Sequence, residues 1–123
     1  MLKDIDPAGS SFPSRFREAG DTLYFVAADS RGEELWKTDG SITGTVIVSD
    51  INSSGSSMPR ILTPITDTLF FVANDGVSGD ELWKSDGTIT GTVLVRDINP
   101  GAAGSLPRDL VNLNGTLLFT AII

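Results

Sequence analysis

Cysteine and histidine are both missing from this chain. Without cysteine there can be no disulfide, no thiolate metal site and no sulfur nucleophile, and redox usage says nothing about compartment. Without histidine the commonest zinc ligand, the commonest general base and every Ser-His-Asp arrangement are excluded, so catalysis would have to rest on carboxylates. Basic residues are in the minority: 9 Lys and Arg face 16 Asp and Glu, giving a net charge of −7. That charge repels a phosphate backbone or an anionic bilayer surface, so neither nucleic acid nor membrane is an expected partner. No apolar run approaches the roughly 18 residues of a membrane span. Met1-Leu2-Lys3-Asp4 leads straight into polar residues rather than into the apolar stretch of a signal peptide.

What is present is a hydrophobic share of 40% in 123 residues, enough for a core in a chain of single-domain size. The chain is organised around a near-duplicate. Glu34-Leu35-Trp36-Lys37-Thr38-Asp39-Gly40-Ser41-Ile42-Thr43-Gly44-Thr45 returns as Glu81-Leu82-Trp83-Lys84-Ser85-Asp86-Gly87-Thr88-Ile89-Thr90-Gly91-Thr92. Aligning Asp4-Ile5, Asp50-Ile51 and Asp97-Ile98 gives periods of 46 and 47 residues. Other landmarks keep the same spacing: Pro13, Pro59 and Pro107, each after a large apolar residue, and Thr22, Thr68 and Thr116, each opening an apolar run. The boundaries that follow are residues 1–5 as the end of a preceding blade, 6–51 as unit 1, 52–98 as unit 2 and 99–123 as a partial unit 3, all in one array.

Each unit reads as four short strands. A short segment after the proline leads to a tight turn, whose third copy is the hairpin dipeptide Asn114-Gly115. The second strand is the apolar run, exemplified by Leu69-Phe70-Phe71-Val72-Ala73, and its continuous hydrophobicity means that both faces are covered. Glu-Leu-Trp-Lys forms the third, and the β-branched Thr-Val-Ile-Val or Thr-Val-Leu-Val the fourth. No helical period competes. The expected fold is therefore all-β, with antiparallel four-stranded blades forming part of a β-propeller; a β-sandwich is the alternative, though its strands need no such long period.

The two motif copies resemble the ELWxxDGT repeat family of large multi-repeat bacterial proteins, and the resemblance covers essentially the whole chain. The copy at Glu81 matches in full, whereas the copy at Glu34 carries Ser41 in place of Thr. The resemblance implies a propeller-like array in secreted or surface proteins, with no catalytic residue assigned to the repeat. The turn is also placed like the Asp-box of other propellers, an analogy of position only.

The motif residues Glu34, Leu35, Trp36, Asp39 and Gly40, with Glu81, Leu82, Trp83, Asp86 and Gly87, are expected to act structurally. Asp-Gly supplies a turn in which Asp accepts from the reversing backbone and Gly takes positive φ. The Trp side chains are expected to pack between blades, the alternative being a platform for sugars. Lys37 and Lys84 are expected to lay their stems on apolar surface with the ammonium in water. Glu34 and Glu81 are expected to be solvated, or loosely paired with Arg15, Arg60, Arg96 or Arg108. The oxygen-rich loops around Asp29, and around Asp75 and Asp80, are weak calcium candidates that fit neither the EF-hand nor the β-roll pattern. No other cofactor is expected.

Two whole units and part of a third fall short of the roughly four to eight blades of a closed ring. The expected partners are thus further units or copies of the chain itself, and a glycan or protein at the loops. The expected function is a non-catalytic structural or ligand-binding module of a secreted or surface protein. A lectin-like propeller is the alternative, and a carboxylate-based glycosidase a more distant one.

Overall fold

A computed structural model describes residues 3–7 and 9–123. Every regular element in that range is a strand, and each strand pairs antiparallel with its sequence neighbour. The first sheet is β1 (Ser14–Ala19), β2 (Thr22–Asp29), β3 (Gly32–Thr38) and β4 (Val46–Ser49), and the second is β5 (Arg60–Ile65), β6 (Thr68–Asn74), β7 (Asp80–Ser85) and β8 (Val93–Arg96). A third sheet has two strands, β9 (Arg108–Leu113) and β10 (Thr116–Thr120). Tight turns force this meander, because hairpin-linked strands must be adjacent and antiparallel. The three sheets do not close into a barrel, and three sheets rather than two set the molecule apart from a simple sandwich.

Side-chain alternation explains why the central strands are apolar on both faces. Tyr24, Val26, Leu35 and Val48 of the first sheet form one buried cluster with Leu69, Phe71 and Ala73 of the second, and Trp83 packs against it. On the other face of the first sheet, Phe25, Ala27 and Trp36 form a second cluster, joined by Ile5 and Ile47. Register makes the two arrangements equivalent: Phe25 lies opposite Trp36 and Phe71 opposite Trp83. The sheets are therefore stacked face on face, with β1 beside β5 and β5 beside β9.

The partial coverage of the second sheet is visible at one pair of equivalent residues. Val48 is 2% exposed, whereas Val95 is 42% exposed, because the two-stranded third sheet offers no strand opposite it.

Of residues 1–5, the expected end of a preceding blade, Lys3, Asp4 and Ile5 are described and lie in no strand, like the equivalent Asp50-Ile51 and Asp97-Ile98; Met1 and Leu2 lie outside the described residues, as does Ala8 in the connector that follows. Ile5 instead packs on the Trp36 cluster, and the Lys3 ammonium donates to the Thr45 carbonyl at 2.9 Å. These contacts fix the segment without a ladder. Among the described residues no helix is long and apolar enough to cross a membrane.

Candidate functional site

The motif turns between β3 and β4, and between β7 and β8, fold on themselves through the same bonds in both copies. The Asp39 carboxylate accepts from the Ser41 N–H at 2.9 Å and the Ser41 hydroxyl at 2.6 Å; Asp86 accepts from the Thr88 N–H at 3.0 Å and the Thr88 hydroxyl at 2.6 Å. Those hydroxyls in turn accept from the Gly44 and Gly91 N–H groups, each at 2.9 Å. These donors hold both aspartates below the usual carboxylate range, with the Ser41 or Thr88 hydroxyl the leading cause. A Cβ at Gly44 would lie 2.0 Å from an Asp39 oxygen, and one at Gly91 2.0 Å from an Asp86 oxygen. The second glycine of each motif is thus a close-approach site, whereas Gly40 and Gly87 sit at φ 93° and 94°. In both turns one carboxylate oxygen, Oδ1, takes both of these donors.

The glutamates of the motif behave differently from the expectation of a solvated or loosely paired group. Glu34 and Glu81 are both fully buried. Glu34 accepts from the Ile51 N–H at 3.2 Å, from the Asn52 N–H at 3.1 Å, and from the Ser57 hydroxyl. Glu81 accepts from the Asn99 N–H at 3.1 Å and from the Ser105 hydroxyl. Among the described residues no arginine is bonded to either carboxylate: Arg15 lies near Glu33, and Arg60 pairs with Asp80. The physical reason is that the chain leaving β4 or β8 exposes backbone N–H groups that would otherwise be buried without acceptors. A carboxylate is the best acceptor for several donors at once, which offsets part of its desolvation.

Each glutamate is therefore a clamp. It ties the third strand of one unit to the connector and to the serine that precedes the first strand of the next. The backbone reinforces the junction: the Ser57 and Met58 N–H groups donate to the Glu33 carbonyl, and those of Ser105 and Leu106 to the Asp80 carbonyl. Burial pushes the Glu34 carboxyl up to about 7, against the opposing pull of Ser57, Asn52 and Ile51. At the second junction the Asp97 carboxyl is also raised, by its own burial first and then by the neighbouring Glu81 charge.

Lys37 makes a further contact across the units. Its ammonium donates to the Gly87 carbonyl at 2.6 Å, so it caps the Asp-Gly turn of the next unit instead of ending in water. Its counterpart Lys84 is exposed, as expected. Trp36 is 4% exposed and Trp83 is half-buried against the first sheet; neither indole N–H has a hydrogen-bond partner. Both rings pack against apolar clusters. Leu35 and Leu82 are buried on the opposite face of the same strands.

The three calcium candidates each have other partners. Asp29 binds Arg31, whose Nε reaches both carboxylate oxygens at 3.2 and 3.1 Å. Asp75 accepts from the Val77 and Ser78 N–H groups at 2.9 and 2.7 Å, and Asp80 takes the Arg60 guanidinium at 2.7 Å. Among the described residues no three acidic side chains converge on a common point.

Sequence reasoning missed Ser57, Ser105, Asn52 and Asn99 as members of the junction. The signal was available, since a Ser-x-Pro stands at Ser57-Met58-Pro59 and again at Ser105-Leu106-Pro107, in step with the glutamates. Compared with protein-family models, with curated proteins and with solved structures, the chain matches none.

Proposed function

We propose that the chain is a non-catalytic structural or ligand-binding module of the ELWxxDGT repeat type, its sheets stacked as blades of a propeller in a secreted or surface bacterial protein. The observation that carries this reading is the duplicated junction. Glu34 with Asn52 and Ser57, and Glu81 with Asn99 and Ser105, dock successive sheets by the same bonds. A module whose most specific residues serve to join it to its neighbour is built for propagation of a scaffold. Face-on-face stacking and the adjacency of β1, β5 and β9 support blades arranged around an axis lined by first strands. The motif aspartates support the structural reading, because Oδ1 of each holds the turn closed by accepting from the backbone and hydroxyl two residues on.

The test has two arms. A crystal structure of the chain should place the three sheets with a constant rotation between neighbours; parallel, unrotated sheets would refute the propeller. Purified protein should release no chromophore from a panel of nitrophenyl glycosides. Turnover that disappears in Glu81→Gln would overturn the non-catalytic reading.

A further inference from the structure

The first strands carry a distortion that no turn requires. Arg15, Ile61 and Asp109 hold φ of 57°, 54° and 56°, and each sits where the ladder to the second strand slips, as between Ser14 and Arg17 or between Arg60 and Thr63. These are bulges with a left-handed residue, normally a place for glycine, yet here an arginine, a β-branched isoleucine and an aspartate occupy it. Left-handed backbone at such residues is costly, and strain kept at equivalent positions marks a geometry worth keeping. The bulged residues sit on the three strands, β1, β5 and β9, that run side by side.

A cleft of about 400 Å³ opens along that line, walled by Arg15 and Arg17 from β1, Ile61, Leu62 and Thr63 from β5, and Leu110 from β9. Its charge stands out against a chain of net −7. Arg31 and Arg60 are each locked to an aspartate, but Arg15 reaches only Glu33, at 3.8 Å and half exposed. Arg17 forms no ion pair among the described residues, and its Nη1 donates to the Phe16 carbonyl at 2.8 Å. Asp109, the acid on β9, accepts from the Thr120 hydroxyl at 3.1 Å. Arg15 and Arg17 thus line one cleft with most of their guanidinium donors unspent.

We propose that this cleft binds an extended acidic peptide with carboxylates on alternate residues. Arg15 and Arg17 both line the cleft, so an extended ligand lying along it can offer both of them carboxylates from one of its faces, where side chains recur every second residue. The forked guanidinium suits carboxylate recognition, and the accessible Ile61 and Leu110 receive the aliphatic stems. A sugar is the poorer occupant because no aromatic ring lines the cleft for a pyranose to stack on. The proposal deepens the scaffold reading and rests on it: the cleft is the ligand site that a non-catalytic module would present.

The probe is a short fluorescein-labelled peptide of alternating Glu and Thr, titrated with the purified chain and followed by anisotropy. Binding should weaken as salt rises and be absent for the Gln-Thr analogue. Arg17→Ala, and Arg15→Ala with Arg17→Ala, should weaken it by roughly tenfold or more for each arginine removed, while Arg96→Ala on β8 leaves it unchanged. In the wild type, methyl NMR shifts should be confined to Ile61, Leu62 and Leu110, a readout that needs no variant to fold. No binding by wild type, equal binding of the Gln analogue, an unchanged Arg17→Ala affinity, tighter binding of oligogalacturonate, or shifts centred elsewhere would each overturn the peptide site. None of these touches the scaffold reading, which fails only on the rotation or hydrolysis tests above.

Discussion

Replacing Glu34 with alanine removes, in one step, the acceptor for two backbone N–H groups and a hydroxyl at the junction of the first and second sheets. The Ser57 hydroxyl can turn to the Glu33 carbonyl 3.4 Å away, so its loss is partly recovered. The Ile51 and Asn52 N–H groups have no second acceptor among the described residues. A buried donor left unmade costs about 1–3 kcal/mol, and with some access for water the lower end applies to each; adding the weakened serine bond gives a total of about 3 kcal/mol.

The pH dependence of that cost has a definite sign. Burial raises the folded carboxyl from its ordinary 4.5 to about 7, so folding takes up a proton between those values. The stability this contributes is complete below about pH 4.5 and drains away as pH rises through about 7. Glu34→Ala should therefore cost most near pH 5 and less near pH 8. Urea unfolding followed by tryptophan fluorescence at both pH values, with unchanged denaturant slope, measures it. A cost below about 1 kcal/mol at pH 5, or one that grows with pH, would refute the clamp as described.

Three further substitutions probe other parts of the framework. Gly91→Ala places a Cβ 2.0 Å from an Asp86 oxygen and should force the motif turn open, lowering stability by about 1–3 kcal/mol in the same urea assay, with loss of the protected Thr88 amide in hydrogen exchange. Thr66 is a β-branched residue at φ 50° in the hairpin between β5 and β6, so Thr66→Asn should raise stability by up to about 1 kcal/mol, read as a higher thermal midpoint. Trp36→Ala should cost about 3–5 kcal/mol because the ring is 4% exposed. Trp36→Phe should cost less than half of that, since the indole N–H has no hydrogen bond to lose.

Much of the strand order was legible because the signals are local. β-branched and aromatic runs mark β2, β4, β6 and β8, and Asn114-Gly115 or Asp-Gly marks the reversals between strands, each acting over a few residues. The Asp39 and Asp86 turns were legible for the same reason, since every partner lies within six residues of the aspartate. The glutamates were misjudged because a lone charged residue is expected to keep its water, and nothing near Glu34 in the chain says otherwise. Its partners Asn52 and Ser57 stand 18 and 23 residues away, across the boundary drawn between the units. Reading one unit at a time hides a residue whose role is to join two.

The bulges were illegible for a related reason. A left-handed residue is normally announced by Gly or Asn, but Arg15, Ile61 and Asp109 share no chemistry. What they share is position, two residues after Pro13, Pro59 and Pro107, just inside a first strand that packs beside its counterpart. A conformation held constant while its side chain changes is set by the packing of neighbouring first strands, and the side chain is left free to vary. That freedom is what allows one junction to carry an arginine pair toward an isoleucine and the next to carry that isoleucine toward an aspartate. Stacked units can thus keep one backbone and still give each cleft its own chemistry, and the conserved bonds of the Glu34 and Glu81 clamps hold the sheets in place while it does so.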